Sequence, residues 1–286
     1  MTSRTSAIAE LARSLPADKG FALIPNRKLF QLYALMLHSR LLDEQLARLA
    51  AKKGGFGPFT RTAGAEASLV AATVDLVRGD TLAPGTGALT PCFLKGLPLS
   101  SLRTLAATGK ARIGWLRYGI VPPTLALEEQ LELVLAAAEA DKTAKSNKAA
   151  KNKKISVVFC GDPAANTKLL KKALQRAGRA KLPILFVANS AAESEEFAPI
   201  ASKYGFPGIV VDASDAVAVY RVVTESSAHA RRGNGPTLIE CRPWRLASTV
   251  TEPLDPMEQA LRRRGIFTAK LKTQTKAIFK RQFAEQ

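Results

Sequence analysis

An α/β fold, with a doubly wound and mainly parallel sheet flanked by helices, follows from three observations on this 286-residue chain. Four short apolar runs, ISVVFC (155–160), PILFVA (183–188), GIVVD (208–212) and PTLIECR (236–242), recur at near-regular spacing. A stretch of helical periodicity lies between each run and the next. The runs are apolar throughout and do not alternate, as expected of strands covered on both faces. Strand–helix–strand units of this kind give parallel strands joined by right-handed crossovers.

The elements can be justified in chain order. Asn26 is placed as the N-cap of a long amphipathic helix, in which Leu29, Leu32, Tyr33, Met36 and Leu37 fall at i, i+3, i+4, i+7 and i+8. GGFGPF (54–59) breaks that helix, and GAEASLVAATVDLV (64–77) forms a small-residue helix that ends at Arg78-Gly79-Asp80. LALEEQLELVLAAAEA (125–140) is a further helix, and helices are expected over about 166–178, 193–204 and 214–231. The chain thereby divides into an N-terminal arm (1–25), an α/β domain (26–250) containing a lysine-rich loop (141–154), and a basic helical tail (251–286).

Composition limits the function classes. An apolar fraction of 47% with 23% charged residues is that of an ordinary globular protein. No apolar run approaches the ~20 residues of a membrane span, and the first residues show no signal-peptide core, so a cytoplasmic protein without a membrane partner is expected. Cys92, Cys160 and Cys241 are far apart and odd in number, which fits reduced thiols and small core residues. His38 and His229 lie inside helical patterns, so a histidine metal site or a Ser-His-Asp triad is poorly supplied.

The formal charge of +18 is concentrated in DKTAKSNKAAKNKK (141–154), with six lysines, and in residues 261–286, with eight basic side chains. Neither segment has interleaved aromatic residues or a nucleic-acid-binding motif, so the tract reads as a solvated loop and a nucleic-acid partner is not expected.

Ligands of doubly wound sheets sit outside the strand carboxyl ends. The candidate positions are therefore Gly161-Asp162, Asn189-Ser190, Asp212 and Arg242-Pro243-Trp244. No GxGxxG follows a strand, which argues against a dinucleotide site. Asp162 alone can be a metal-binding carboxylate or simply the cap of the helix after it.

The order GDPAAN, helix, KLP, apolar strand is similar to the diphosphate motif of thiamine-dependent 2-oxo acid dehydrogenases, in the alpha subunit of the decarboxylating component. YALMLHSRLLDEQL resembles that subunit's first long helix, and FTRTAGAEASLVAATVDLVRGDTL its G-Q-E-A and G-D region. YGIV (118–121), YGFPGIVVDASDAVAVYRVV, GNGPTLIECRPWR and LDPMEQALRRRGIF continue the likeness in order, over about residues 30–267. The resemblance implies a thiamine-diphosphate-binding fold, with thiamine diphosphate and magnesium as cofactors. It also implies oxidative decarboxylation with acyl transfer to a lipoyl group. The expected partners are a beta-type subunit or a second copy of the chain, and possible contact with a lipoyl-bearing acyltransferase follows. Because the family buries its first long helix and small-residue helix against sister subunits, an obligate oligomer is expected.

By that resemblance Asp162 is the magnesium ligand, with Gly161 and Ala164 close to the diphosphate. Gly119 and Val121 offer backbone groups to the thiamine ring. The second side-chain oxygen falls at Ala191, which cannot supply one, so Asn189 would need a local bulge to serve. Where the family has a tyrosine–arginine pair and then a histidine, this chain has Thr86, Gly87 and Leu89. Pro163 stands for a glycine, a second family histidine has no counterpart in RPWRLASTV, and Arg112 or Arg117 is left to replace the lost phosphate contact. Three readings stay open. One is an alpha-type subunit with an impaired cofactor site, another a non-catalytic scaffold or partner-binding relative, and the third a basic nucleic-acid-associated protein.

Overall fold

The computed structural model describes residues 3–18, 23–143, 153–243, 245–246, 249–250 and 252–284. Most of the lysine tract, and Trp244, lie outside the described residues. The four expected runs form strands β2 (Ser156–Gly161), β3 (Ile184–Asn189), β4 (Gly208–Asp212) and β5 (Thr237–Arg242) of one sheet. A fifth strand, β1 (Thr81–Ala83), adds to its edge, giving the order β1-β2-β3-β5-β4 with every pairing parallel.

Period-two alternation divides the strand side chains between two apolar layers. Val158 and Cys160 of β2, with Ile184, Phe186 and Ala188 of β3, face helices α6 (Leu127–Thr143) and α7 (Pro163–Arg179). Val157, Phe159, Leu185 and Val187 face the opposite way, onto α3 (Glu66–Thr73) and α8 (Ala216–Arg231). Both faces of β2 and β3 are covered, which is why these strands contain no polar alternation, whereas the edge strand β4 leaves Val210 exposed.

β1 has only three residues, too few for a sequence pattern, and its position depends on Asp80 just before it. The Asp80 carboxylate is fully buried, accepts from the Ile155 and Val77 amides (3.1 and 2.8 Å), and pairs with Arg231 at 2.5 Å. It thereby ties the start of β1 to the start of β2 and the end of α8. On the far side of β1, Leu82 exchanges backbone hydrogen bonds with Gly119 and Val121, each 2.8 Å.

Three local expectations are corrected. Asn26 does not cap helix α2 (Asn26–Ala50). Pro25 precedes the helix, and the Asn26 amide instead donates to Asp18 Oδ1 at 2.7 Å. The helix expected over 193–204 is a 3-10 segment confined to Ala198–Tyr204, because the residues before it are held by β5 side chains. The small-residue helix stops at Thr73, where the Thr73 hydroxyl bonds back to the Leu69 carbonyl (2.6 Å).

α2 forms the second core. Helix α1 (Ser3–Arg13) and the tail helices α9 (Leu254–Arg263) and α10 (Ala269–Ala284) pack around it. Met257, Leu261, Ile266 and Leu271 bury against Leu29, Phe30, Tyr33 and Met36. The ring of His38 meets Thr275 O at 2.9 Å and lies 5.4 Å from Phe279. His38 is thus a packed histidine that anchors the tail. All eight residues of α3 are buried as well.

Candidate functional site at the strand carboxyl ends

The carboxyl ends of β1, β2 and β3 open onto a crevice of about 500 Å³. Its walls are Pro84-Gly85-Thr86 after β1, Gly161 at the end of β2 with Asp162 after it, Asn189 at the end of β3, and the segment Thr60-Arg61-Thr62. Leu69, Leu127 and Phe159 supply apolar surface. The volume and the mix of apolar floor and polar rim are those of a small-molecule site.

Three of the expected site residues meet there: Gly161, Asp162 and Asn189. A β-bulge between Phe159 and Gly161 turns the chain out of the sheet. Asp162 then caps α7, its Oδ1 accepting from the Ala164 amide at 3.0 Å. Pro163 is the first residue of α7, where its missing amide proton would have had no helical partner. The Asn189 carboxamide oxygen accepts from the Ser68 hydroxyl at 2.7 Å. β3 and β5 pair in unbroken register through Asn189, so no bulge carries Asn189 forward to position 191.

The other three do not line this crevice. Ala164 has its amide bound to Asp162 and borders a neighbouring cleft of about 590 Å³. Gly119 and Val121 pair with β1, as described above. Gly119 is a glycine because its φ is 66° and a Cβ there would lie 2.5 Å from the Asp80 carbonyl. Arg112 and Arg117 are not among the lining residues either. Ala191 is exposed, on a segment fixed by Glu240 and Arg242. Buried Glu240 accepts from Ser190 Oγ (2.6 Å) and the amides of Phe197 (2.7 Å) and Ala198 (2.6 Å). Arg242 donates to the carbonyls of Ala192, Ser194 and Glu195.

Gly87 lies between the lining residues Thr86 and Ala88 and is closely covered. Gly87 has φ 74°, and a Cβ built on it would lie 1.6 Å from the Pro58 carbonyl oxygen. The segment 58–60 runs directly over this glycine, with the Thr60 amide donating to Gly87 O at 3.0 Å. No side chain fits at 87, least of all an arginine. The Thr86 hydroxyl donates to Leu125 O at 3.1 Å, and Leu89 is buried in the core. The residues present do not match the diphosphate-and-magnesium set that the resemblance implies. Asp162 and Asn189 line the crevice, but position 87 carries no side chain and Ala191 no oxygen.

Two lining residues went unnoticed in the sequence. Arg61 is oriented by buried Asp43, whose carboxylate accepts from Arg61 Nε (2.6 Å) and from the Thr62 amide (2.7 Å). The Thr62 hydroxyl sits 2.9 Å from both Asp43 and Thr90 Oγ1. Asn166 lines the opposite wall with non-helical dihedrals (φ −132°, ψ 22°) inside the first turns of α7. Asn166 was visible in GDPAAN, whereas the Arg61–Asp43 pairing depends on tertiary contact alone. Burial pushes the thiol pKa of Cys160 up to about 12, so this lining cysteine is no nucleophile.

The family profile described as "Dehydrogenase E1 component" matches residues 33–285. The chain is 30% identical over 241 residues to a 3-methyl-2-oxobutanoate dehydrogenase subunit alpha of Mycobacterium tuberculosis, covering 80% of this chain and 64% of that protein. It is 28% identical over 246 residues to the pyruvate dehydrogenase E1 component subunit alpha of Staphylococcus aureus, covering 82% and 64%. The chain thus spans just under two thirds of the length of these relatives. Transketolase from Leishmania mexicana superposes over 89% of this chain and 45% of its own, with a TM-score of 0.54 and 14% identity, a likeness of fold.

Proposed function

Starting from the dehydrogenase E1 component family, to which this chain belongs, we propose that it is an alpha-type subunit that binds partner chains and has lost useful affinity for thiamine diphosphate and magnesium. The observation that carries this reading is the Pro58 carbonyl crossing Gly87, which closes the space the family's arginine would need. The oxygen-free side chain of Ala191 supports it. Arginine cannot be replaced at a bidentate phosphate site by a residue without donors. Hydrogen bonds to charged groups contribute about 1.5–3 kcal/mol each, so losing two or three weakens the cofactor by roughly a thousandfold to nearly a millionfold.

The relatives are named as subunits, which favours a beta-type partner over self-association. Contact with a lipoyl-bearing acyltransferase would come through that assembly. Calorimetric titration of the purified chain with thiamine diphosphate and magnesium tests the proposal. Millimolar or weaker binding is expected. A micromolar dissociation constant that disappears in Asp162→Ala overturns the reading, and repeating the titration with a co-expressed beta-type chain shows whether a partner completes the site.

A further inference from the structure

We infer that a groove at the carboxyl end of the edge strand β4 binds a small apolar zwitterion, an aliphatic amino acid or short dipeptide, between the turn that carries Asp215 and the helix end that carries Arg263. No lining residue is shared with the crevice at β1 to β3, so this site is separate from the one in the proposed function and does not depend on it.

The groove has a volume of about 570 Å³ and three walls. The arm and the start of α2 form one, the turn from β4 into α8 the second, and α9 with Arg264 just after it the third. The floor where they meet is apolar, since Ile24, Leu29, Ala216 and Met257 are each at most 3% exposed. On the rim, Leu23 is left 68% exposed. An aliphatic group lying along the floor would take part of this side chain out of water, which favours an apolar ligand body.

The charges sort by wall. In the turn, Asp215 Oδ1 accepts from the Val217 and Ala218 amides (2.9 and 3.0 Å), and its other oxygen has no partner among the described residues. Asp212 ties the same turn together through the Ser214 amide and hydroxyl (2.8 and 2.7 Å). On the α9 side, Arg264 donates to Ile24 O and Asn26 Oδ1 (3.2 and 3.3 Å) and lies 4.0 Å from Asp18. Arg263 is exposed and has no partner among the described residues. Asp215 pairs with neither arginine among those residues. An anion placed in the groove would meet two carboxylates, and a cation two guanidinium groups. A ligand carrying both charges satisfies both walls, with its ammonium toward Asp215 and its carboxylate toward Arg263, whose fork suits a carboxylate. The turn and Arg264 are held before any ligand arrives, which reduces the entropy lost on binding.

The test is calorimetry on the full chain, with L-leucine and L-leucyl-L-leucine as the amino-acid and dipeptide probes. At least one is expected to bind, and the tighter of the two identifies the source. Isocaproate and isoamylamine keep an apolar chain and one charge each, and should bind about tenfold more weakly or worse. Arg263→Gln and Asp215→Asn should each weaken the tighter probe by a similar factor. Asparagine keeps the cap of α8, so the thermal midpoint of the free Asp215→Asn protein should stay where it is. Leu23→Ser, at an exposed position, should weaken binding several-fold. Arg232→Gln, exposed just past the far end of α8, should leave it unchanged. Absence of binding by both probes overturns the inference. So does equal binding of the single-charge analogues, which would mean an apolar patch only, and so does an equal loss in Arg263→Gln and Arg232→Gln, which would mean attraction to a basic surface. Each of these results leaves the proposed function standing, because the thiamine diphosphate titration tests it separately.

Discussion

Gly79-Asp80 and Gly161-Asp162 are the same dipeptide at opposite ends of one sheet. Asp80 comes just before β1, is fully buried, and has each carboxylate oxygen engaged by Arg231 and a backbone amide. Asp162 comes just after β2, is only partly covered, and makes a single hydrogen bond, to Ala164. The contrast separates two uses of a carboxylate. At the amino ends of the strands the charge is fully compensated and fixes topology. At the carboxyl ends it caps a helix and leaves lone pairs facing a crevice. At Asp80 every carboxylate oxygen is satisfied within the fold, whereas Asp162 keeps acceptor capacity facing the crevice.

The comparison can be broken most forcefully at Asp80. Asp80→Ala leaves the largely buried Arg231 guanidinium without its counter-charge, held only by the Lys153 carbonyl, and leaves two amides unpaired. A loss of about 3–5 kcal/mol is expected in denaturant unfolding. A loss below about 1 kcal/mol would show that the clamp is not structural. Next comes Gly87→Ala, which forces a Cβ into the Pro58 carbonyl at a φ that disfavours side chains. The expected cost is about 2–4 kcal/mol, measured the same way. Wild-type stability in that variant would mean that segment 58–60 moves freely away and that the crevice can reopen to an arginine.

At the other end of the sheet the effects are smaller. Asp162→Ala removes one helix cap, so about 1 kcal/mol is expected. Asp162→Asn should recover most of it, because asparagine caps nearly as well. The smallest response is chemical. Burial raises the thiol pKa of Cys160 and of Cys241 to about 12, with the Glu240 charge adding to the effect at Cys241. Only about one thiol in ten thousand is ionised at pH 8. Iodoacetamide should therefore leave the native protein unmodified at that pH and label all three cysteines after unfolding. Rapid native labelling of Cys160 would show that the crevice floor opens.

The sheet was legible in the sequence because β2 and β3 are unbroken apolar runs, as strands covered on both faces are, and because helical patterns separate all four runs. β1 was missed because three residues carry no period, and what makes them a strand is Asp80 reaching Ile155 across 75 positions. The 3-10 segment was read as α-helix because its composition is helical, while the residues ahead of it are held by Glu240 and Arg242 of a distant strand. In the crevice, the departures at 87 and 191 from the pattern of the resemblance could be read from the sequence. The Pro58 carbonyl over Gly87 and the Arg61–Asp43 ion pair could not, because nothing in the sequence shows that these loop and helix positions meet.

The clasp of the tail on α2 also sets the timing of folding during synthesis. His38 waits for Thr275, and Phe30 for Met257 and Leu261, all more than two hundred residues further along the chain. At about 5–20 residues per second, the apolar stripe of α2 stays uncovered on the ribosome for roughly ten to fifty seconds. Over that interval the part of the stripe that the tail will cover is open to chaperones and to neighbouring copies on the same message. The order of synthesis thus leaves the last contacts of this core to the tail.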